Sequence, residues 1–245
     1  MFTCSAAARL TIAVALAGGV VAGAQAGSLT VTPVIVTLND NTRSAALTVR
    51  NEGDAARVIQ TELLRWTQKD GTDVQTPSSD ILVNPPLATL QPGQTQTVRI
   101  GLRRKADNAQ EMAYRLYLTE VPPPGEHFTG LRIALRLGVP IYVSPKDKPS
   151  ARLEWQAARA PNGGLLLTAH NEGNRHVRVD SFSIVDPATG RALGAWQQAF
   201  ALLAGQARPF SLAVPPGWRG RDLKMMTKTA DGPAETRVEV AGPAG

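Results

Sequence analysis

Leu131-Arg132-Ile133-Ala134-Leu135-Arg136-Leu137-Gly138-Val139-Pro140-Ile141-Tyr142-Val143 places a large apolar side chain at every odd position from Leu131 to Val139. Arg132, Ala134, Arg136 and Gly138 fill the even positions, which is the period-2 pattern of a β-strand with one apolar face. Pro140 has no N–H to give to a ladder, which predicts an edge strand, or one that changes partner at the proline. An edge strand with a row of large apolar side chains templates pairing with another chain. A protein that keeps one either covers it or uses it. An ordinary sandwich strand facing its own core is the alternative at this point.

Outward from this strand the chain reads as all-β. Short apolar runs are separated by Asn-Asp, Asp-Gly, Pro-Gly and Gly-Gly pairs. Leu29–Leu38, Ser44–Asn51, Arg57–Thr67, Thr95–Leu102 and Ala113–Val121 join Leu131–Val143 as predicted strands, with Ile81–Leu90 a short seventh around Asn84-Pro85-Pro86. About seven strands in about 120 residues suit an immunoglobulin-like β-sandwich. Leu153–Ala158, Gly164–Asn171, Val177–Val185, Ala207–Val214 and Thr236–Ala241 read the same way, and only Trp196–Leu203 looks helical. A repeat supports two such domains. Leu47-Thr48-Val49-Arg50-Asn51-Glu52-Gly53 returns as Leu167-Thr168-Ala169-His170-Asn171-Glu172-Gly173, in both cases a strand running into a turn whose glycine is available for φ > 0. The proline-rich stretch Ser144–Pro149 is the predicted hinge, giving domains 27–145 and 146–245.

Residues 1–26 read as a secretory signal peptide: Arg9, the uncharged run Leu10–Gly23, then the small-x-small site Ala24-Gln25-Ala26. N-terminal sequencing of the exported protein should therefore begin at Gly27, and a retained Met1 would contradict the reading. Cys4 is the only cysteine, so the mature chain has no disulfide, thiolate metal site or cysteine nucleophile. The net charge of +6 comes from scattered rather than clustered basic residues, which argues against a nucleic-acid partner.

No catalytic constellation emerges, so no enzyme, small-molecule substrate, cofactor or metal is expected. His127, His170 and His176 lack ligand spacing and read as exposed, solvated side chains. Asp70, Asp73, Asp80 and Asp107 occupy polar, loop-like stretches. Arg115 carries more information. In the alternation of Tyr114–Val121 it shares a face with Tyr117 and Thr119, and a fixed guanidinium there suits a carboxylate; a solvated arginine is the alternative.

Several motifs in order resemble the periplasmic chaperones of pilus and fimbria assembly (PapD-like). They are Asn51-Glu52-Gly53, Asn84-Pro85-Pro86, Leu90-Gln91-Pro92-Gly93-Gln94 before Val98-Arg99-Ile100, Tyr114-Arg115 through Glu120-Val121-Pro122, and Leu131 through Pro145. Asn171-Glu172-Gly173 with His176-Val177-Arg178-Val179 is similar to that family's second domain. The resemblance implies two immunoglobulin-like domains in a boomerang. It also implies a donor strand lent to incomplete pilus subunits, with Leu131, Ile133, Leu135 and Leu137 filling the subunit's open groove. The implied partners are pilus or fimbrial subunits and an outer-membrane usher, with a self-capped dimer as a further state of the free chaperone; the implied location is the periplasm. In the better-known branch an arginine on the first strand and a lysine on the donor strand anchor the subunit's terminal carboxylate. Here the first strand reads Val31-Thr32-Pro33-Val34-Ile35 and the lysine position is Pro140. That departure resembles the archaic or alternative branch, with Arg115 as the anchor and Arg136 or Arg132 as helper.

A structural or adhesive two-domain sandwich protein is the competing reading. Such a subunit would carry a free alternating N-terminal tail, whereas only Gly27-Ser28 lie between the cleavage site and the first strand. A sugar-active enzyme with an immunoglobulin-like module would need a further catalytic domain.

Overall fold

The computed structural model describes residues 29–107, 109–122 and 134–242. The signal segment, His127, and the donor-strand residues Leu131, Arg132 and Ile133 lie outside them. Among the described residues every regular element is a strand.

The first half contributes β1 (Leu29–Thr32), β2 (Val36–Leu38), β3 (Ser44–Asn51), β4 (Arg57–Lys69), β5 (Thr72–Pro77), β6 (Ile81–Asn84), β7 (Leu87–Leu90), β8 (Thr95–Leu102), β9 (Met112–Val121) and β10 (Arg136–Val143). They form two sheets, β1-β3-β8-β6 and β2-β10-β9-β4-β5, with β7 also paired to β4. The inward row of β9 (Tyr114, Leu116, Leu118) packs with Val139, Ile141 and Val143 of β10 against Leu47, Val49, Val98 and Ile100 of the other sheet. Alternation thus buries one face of each strand, as the period-2 pattern requires. Tyr114 ties β9 down from inside by donating its hydroxyl to Asp80 at 2.8 Å.

Prolines explain two departures from the expected strands. Leu29–Leu38 breaks after Thr32, where Pro33 cannot donate, and β1 pairs β3 in one sheet while β2 pairs β10 in the other. Ile81–Leu90 divides at Pro85-Pro86, so that β6 pairs β8 and β7 pairs β4. Asp73 is not in a loop: it lies on β5, which returns along β4 through the Asp70-Gly71 turn. Both turn residues have positive φ, 51° and 75°, the conformation that Asp-Gly favours in a tight hairpin.

The second half contributes β11 (Leu153–Arg159), β12 (Leu165–Asn171), β13 (Val177–Val185), β14 (Ala192–Trp196), β15 (Phe200–Leu202), β16 (Ala207–Leu212), β17 (Asp222–Thr229) and β18 (Gly232–Ala241). Here β14-β13-β17-β18, with β15 on β13, continues into β11-β12-β16 through a two-residue parallel bridge between β11 and β18. Trp155, Phe182 and Phe210 fill the space between the layers. The helix-like stretch Trp196–Leu203 is not helical. Its apolar residues alternate instead, and Phe200 and Leu202 face the core from β15.

The Asn-Glu-Gly repeat is a duplicated clasp. Asn51 is buried, and its Nδ2 donates to the carbonyls of Ala55 (2.8 Å) and Leu90 (3.0 Å) while Oδ1 accepts from Gly53 N (3.0 Å). Asn171 repeats this with Arg175 (2.8 Å), Leu202 (3.0 Å) and Gly173 N (3.0 Å). Each asparagine carbonyl also accepts from a second loop, at Gly93 N and Gly205 N. The left-handed glycines are those two, with φ of 73° and 67°, and not Gly53 or Gly173 as the turn reading expected. Gly173 is needed for close approach instead. A Cβ there would collide with the Ser150 carbonyl and lie 2.8 Å from Arg152 N, on the segment that links the two halves.

Candidate functional site

Two features of the β2-β10-β9-β4-β5 sheet meet near the junction of the halves: an open strand edge and a basic cleft. The edge belongs to β10. Its pairing with β9 runs the whole length, from Arg136–Thr119 to Val143–Met112, but its other side meets β2 only over Ile141–Val143. The expected edge strand is therefore open for its first part and covered for its last. Glu120 N–H donates to the Leu135 carbonyl at 2.8 Å. Antiparallel alternation then directs the odd residues' backbone groups to β9, and those of Arg136 and Gly138 to the open side. Pro140 is the next residue facing that side. Lacking an N–H, it ends the ladder to β2 and keeps the preceding edge free among the described residues.

The odd side chains continue the core outward. Val139 and Ile141 are buried, Leu137 is half-buried against the same core, and Leu135 is half-buried beyond it. Leu137 thus serves the protein's own core in part.

On the opposite face of the sheet lies a cleft of about 440 Å³, lined from the first half by Val34, Ile35, Trp66, Arg115, Pro140 and Tyr142. His176, Arg178, Phe200 and Arg208 line it from the second half. Arg115 lies on β9 opposite Pro140, with its guanidinium 4.1 Å from the Trp66 ring centroid. Arg136 is on the same face but outside the cleft, four residues or about 13 Å along β10 from Pro140. It stacks on Tyr117 at 3.8 Å and pairs with Glu62 at 3.1 Å. The fold brings Arg115 to the cleft and leaves Arg136 at the rim. Where the resemblance expects cations, in the stretch Val31–Ile35 and at Pro140, the cleft is walled by Val34, Ile35 and Pro140, with Val34 and Ile35 exposed.

The cleft is held open by a specific joint that the sequence reading missed. Gln68 is buried, with Nε2 donating to the Ala201 carbonyl and to Asp73, each at 2.9 Å, and Oε1 accepting from Leu203 N at 2.9 Å. Trp66, Ala113, Tyr142 and Leu203 make a small apolar cluster around it. His176 is not a solvated side chain: it stacks on Tyr142 with centroids 3.6 Å apart and 7° between planes. Its Nδ1 is 2.7 Å from Glu111 Oε1, which also accepts from His176 N. His170 is half-buried too, with a buried Nε2. Burial, aided by the Glu111 carboxylate, pushes the Tyr142 phenol up to about 12, so it stays a neutral hydroxyl in the cleft wall at any ordinary pH. A signal for part of this joint was present. Trp66 and Gln68 extend the alternation of β4 past Thr67 on one face, and an amide two residues from a tryptophan on a buried face needs partners.

The second-domain clasp and the joint are continuous. Asn174, beside Gly173, accepts from Ser150 N through Oδ1 at 2.7 Å, and its carbonyl accepts from Glu111 N at 2.9 Å. The relative placement of the halves thus rests on backbone and buried polar groups rather than on surface ion pairs.

Comparison with known proteins agrees with this architecture. Residues 28–148 match the family described as pili and flagellar-assembly chaperone, PapD N-terminal domain. The chaperone protein FimB/FhaD of Bordetella pertussis is 25% identical, over 66% of this chain and 70% of its own. The fold is shared with a structure of the CsuC–CsuE chaperone–tip adhesion subunit pre-assembly complex from the archaic chaperone-usher Csu pili of Acinetobacter baumannii. That match has 18% identity and a TM-score of 0.64, covering 88% of this chain and 99% of that one. It is shared also with a structure of the Salmonella enterica SafA pilin in complex with the SafB chaperone (18% identity, TM-score 0.59, covering 85% and 93%). Joined to a second immunoglobulin-like sandwich, and beside an open strand edge and a basic cleft, residues 28–148 belong to the PapD-like family of pili-assembly chaperones.

Proposed function

We propose that this chaperone acts in the periplasm, where it binds, folds and caps pilus or fimbrial subunits by donor-strand complementation and hands them to an outer-membrane usher. Domains 27–145 and 146–245 divide the work: the first lends the strand, and the second completes the cleft. The observation that carries the reading is the open edge at Arg136–Gly138, with the apolar row of β10 running off the chaperone's own core toward Leu131. Leu131, Ile133, Leu135 and Leu137 enter the subunit's groove, while the backbone of Arg136 and Gly138 pairs with a subunit strand. Four such side chains contribute a gross gain of about 6–12 kcal/mol, much of it offset by ordering the subunit. The competing structural or adhesive reading has no use for an edge left open beside an apolar row.

Arg115 is the carboxylate anchor in this reading. Its place over Trp66 in the cleft supports it, whereas Arg136 is already engaged by Glu62 and Tyr117; Arg132 is left as the helper from the donor strand. A charge-assisted pair with a desolvated carboxylate contributes about 1.5–3 kcal/mol. Arg115→Ala should weaken capture of the cognate pilin about ten- to hundredfold without unfolding the chaperone. Arg115→Lys should recover only part, because a point charge replaces a bidentate fork. Co-purification of pilin with folded Arg115→Ala at wild-type yield would move the anchor elsewhere.

A further inference from the structure

Two guanidinium groups of the cleft are held by aromatic faces rather than by carboxylates. Arg115 lies over Trp66, and the Arg208 guanidinium is 5.2 Å from the Phe200 centroid and 5.4 Å from that of Phe210. Stacking fixes the plane of the group and leaves its N–H donors pointing outward at the edge, the direction from which a carboxylate is received. The neighbouring Arg178 is different, being paired with Asp180 at 3.0 Å, while among the described residues Arg115 and Arg208 form no ion pair.

Two more observations point to a missing acceptor. Arg115 Nε and Trp66 Nε1 are buried without a hydrogen-bond partner, a condition native structures ordinarily avoid, and both residues line the cleft. The lining also sets three arginines against one carboxylate, Asp73, whose Oδ1 already accepts from Gln68. Arg208 is further buttressed from the first domain. The Asp70-Gly71 turn packs so closely that a Cβ on Gly71 would lie 3.1 Å from Arg208 Cγ and 2.9 Å from Pro209 Cδ.

We infer that Arg208, on the second domain, is the second cation of the cleft. It and Arg115 receive one carboxylate between the domains, beside the Trp66 ring on which Arg115 lies. The inference rests on the reading of the cleft as the site of the subunit's terminal carboxylate. Its consequence is that recognition of a chain terminus requires both domains in the orientation that Gln68, Tyr142 and His176 maintain.

Propionate, with propionamide as its uncharged isostere, tests the inference on the mature chaperone, read by the Trp66 indole N–H resonance. The other three indole resonances report folding of each variant. Propionate alone should give a saturable shift. Arg115→Gln and Arg208→Gln should each raise its midpoint about tenfold, and Arg208→Lys should restore part of the loss. A wild-type midpoint in Arg208→Gln beside a raised one in Arg115→Gln would remove Arg208 from the site and leave the Arg115 anchor standing. No response to propionate in the wild-type protein would overturn the carboxylate reading of the whole cleft.

Discussion

Ile133→Asp is expected to abolish pilin capture while leaving the chaperone folded. The row that Ile133 belongs to leaves the protein's own core by degrees. Val139 is buried, Leu137 packs on the core from a half-buried position, and Leu135 lies beyond the core cluster. A carboxylate placed in an apolar groove costs several kcal/mol, and each 1.4 kcal/mol or so is a factor of ten, so capture should fall at least about a hundredfold. The same substitution should have graded effects along the strand. Leu135→Asp should resemble Ile133→Asp, whereas Leu137→Asp should also lower the chaperone's own stability, because its side chain is shared with the core. Pilin co-purifying with Ile133→Asp at undiminished yield would count against strand donation. Unfolding of Ile133→Asp would support the reading of an ordinary sandwich strand.

The second large effect concerns stability. Asn171→Ala should destabilise the protein by about 3 kcal/mol, because it strands the buried carbonyl of Leu202, the partly buried carbonyl of Arg175 and the N–H of Gly173 together. For a chain of this size that is a fall of about 10 °C in the thermal midpoint. Asn51→Ala should cost a similar amount in the first domain, where the same three groups lose their partner. Only the Asn171 variant should loosen the joint, since Leu203, Asn174 and His176 flank its clasp. If the repeat were merely a turn, alanine at either asparagine would shift stability by less than about 1 kcal/mol in calorimetry.

Fold class and repeat could be read from the chain because strand periodicity is local. The predicted limits of Thr95–Leu102 and Val177–Val185 coincide with β8 and β13. β5 escaped because Thr72–Pro77 is an edge strand with mostly exposed, polar residues, and only its Asp-Gly turn marks it. Trp196–Leu203 misled because a three-residue strand beside a tryptophan mimics a short helical run. The clasp could have been found by carrying the repeat further: Leu90-Gln91-Pro92-Gly93-Gln94 and Leu202-Leu203-Ala204-Gly205-Gln206 share a leucine, a left-handed glycine and a glutamine. Arg115 could be singled out, since its face follows from alternation. Gln68 carried only a hint, in its alternation with Trp66, and Glu111, His176 and Arg208 carried none, because their roles arise only when residues far apart in sequence meet between the domains.

Amide hydrogen exchange at β10, free and with pilin bound, tests strand donation most directly. In the free chaperone Arg136 and Gly138 should exchange fast, because their N–H groups face the open edge, while Leu137 and Val139, bonded to β9, exchange slowly. On binding pilin, Arg136 and Gly138 should become protected about a hundredfold or more, with Leu137 and Val139 little changed. A stable chaperone–pilin complex in which Arg136 and Gly138 still exchange as in the free protein would contradict donation of this strand.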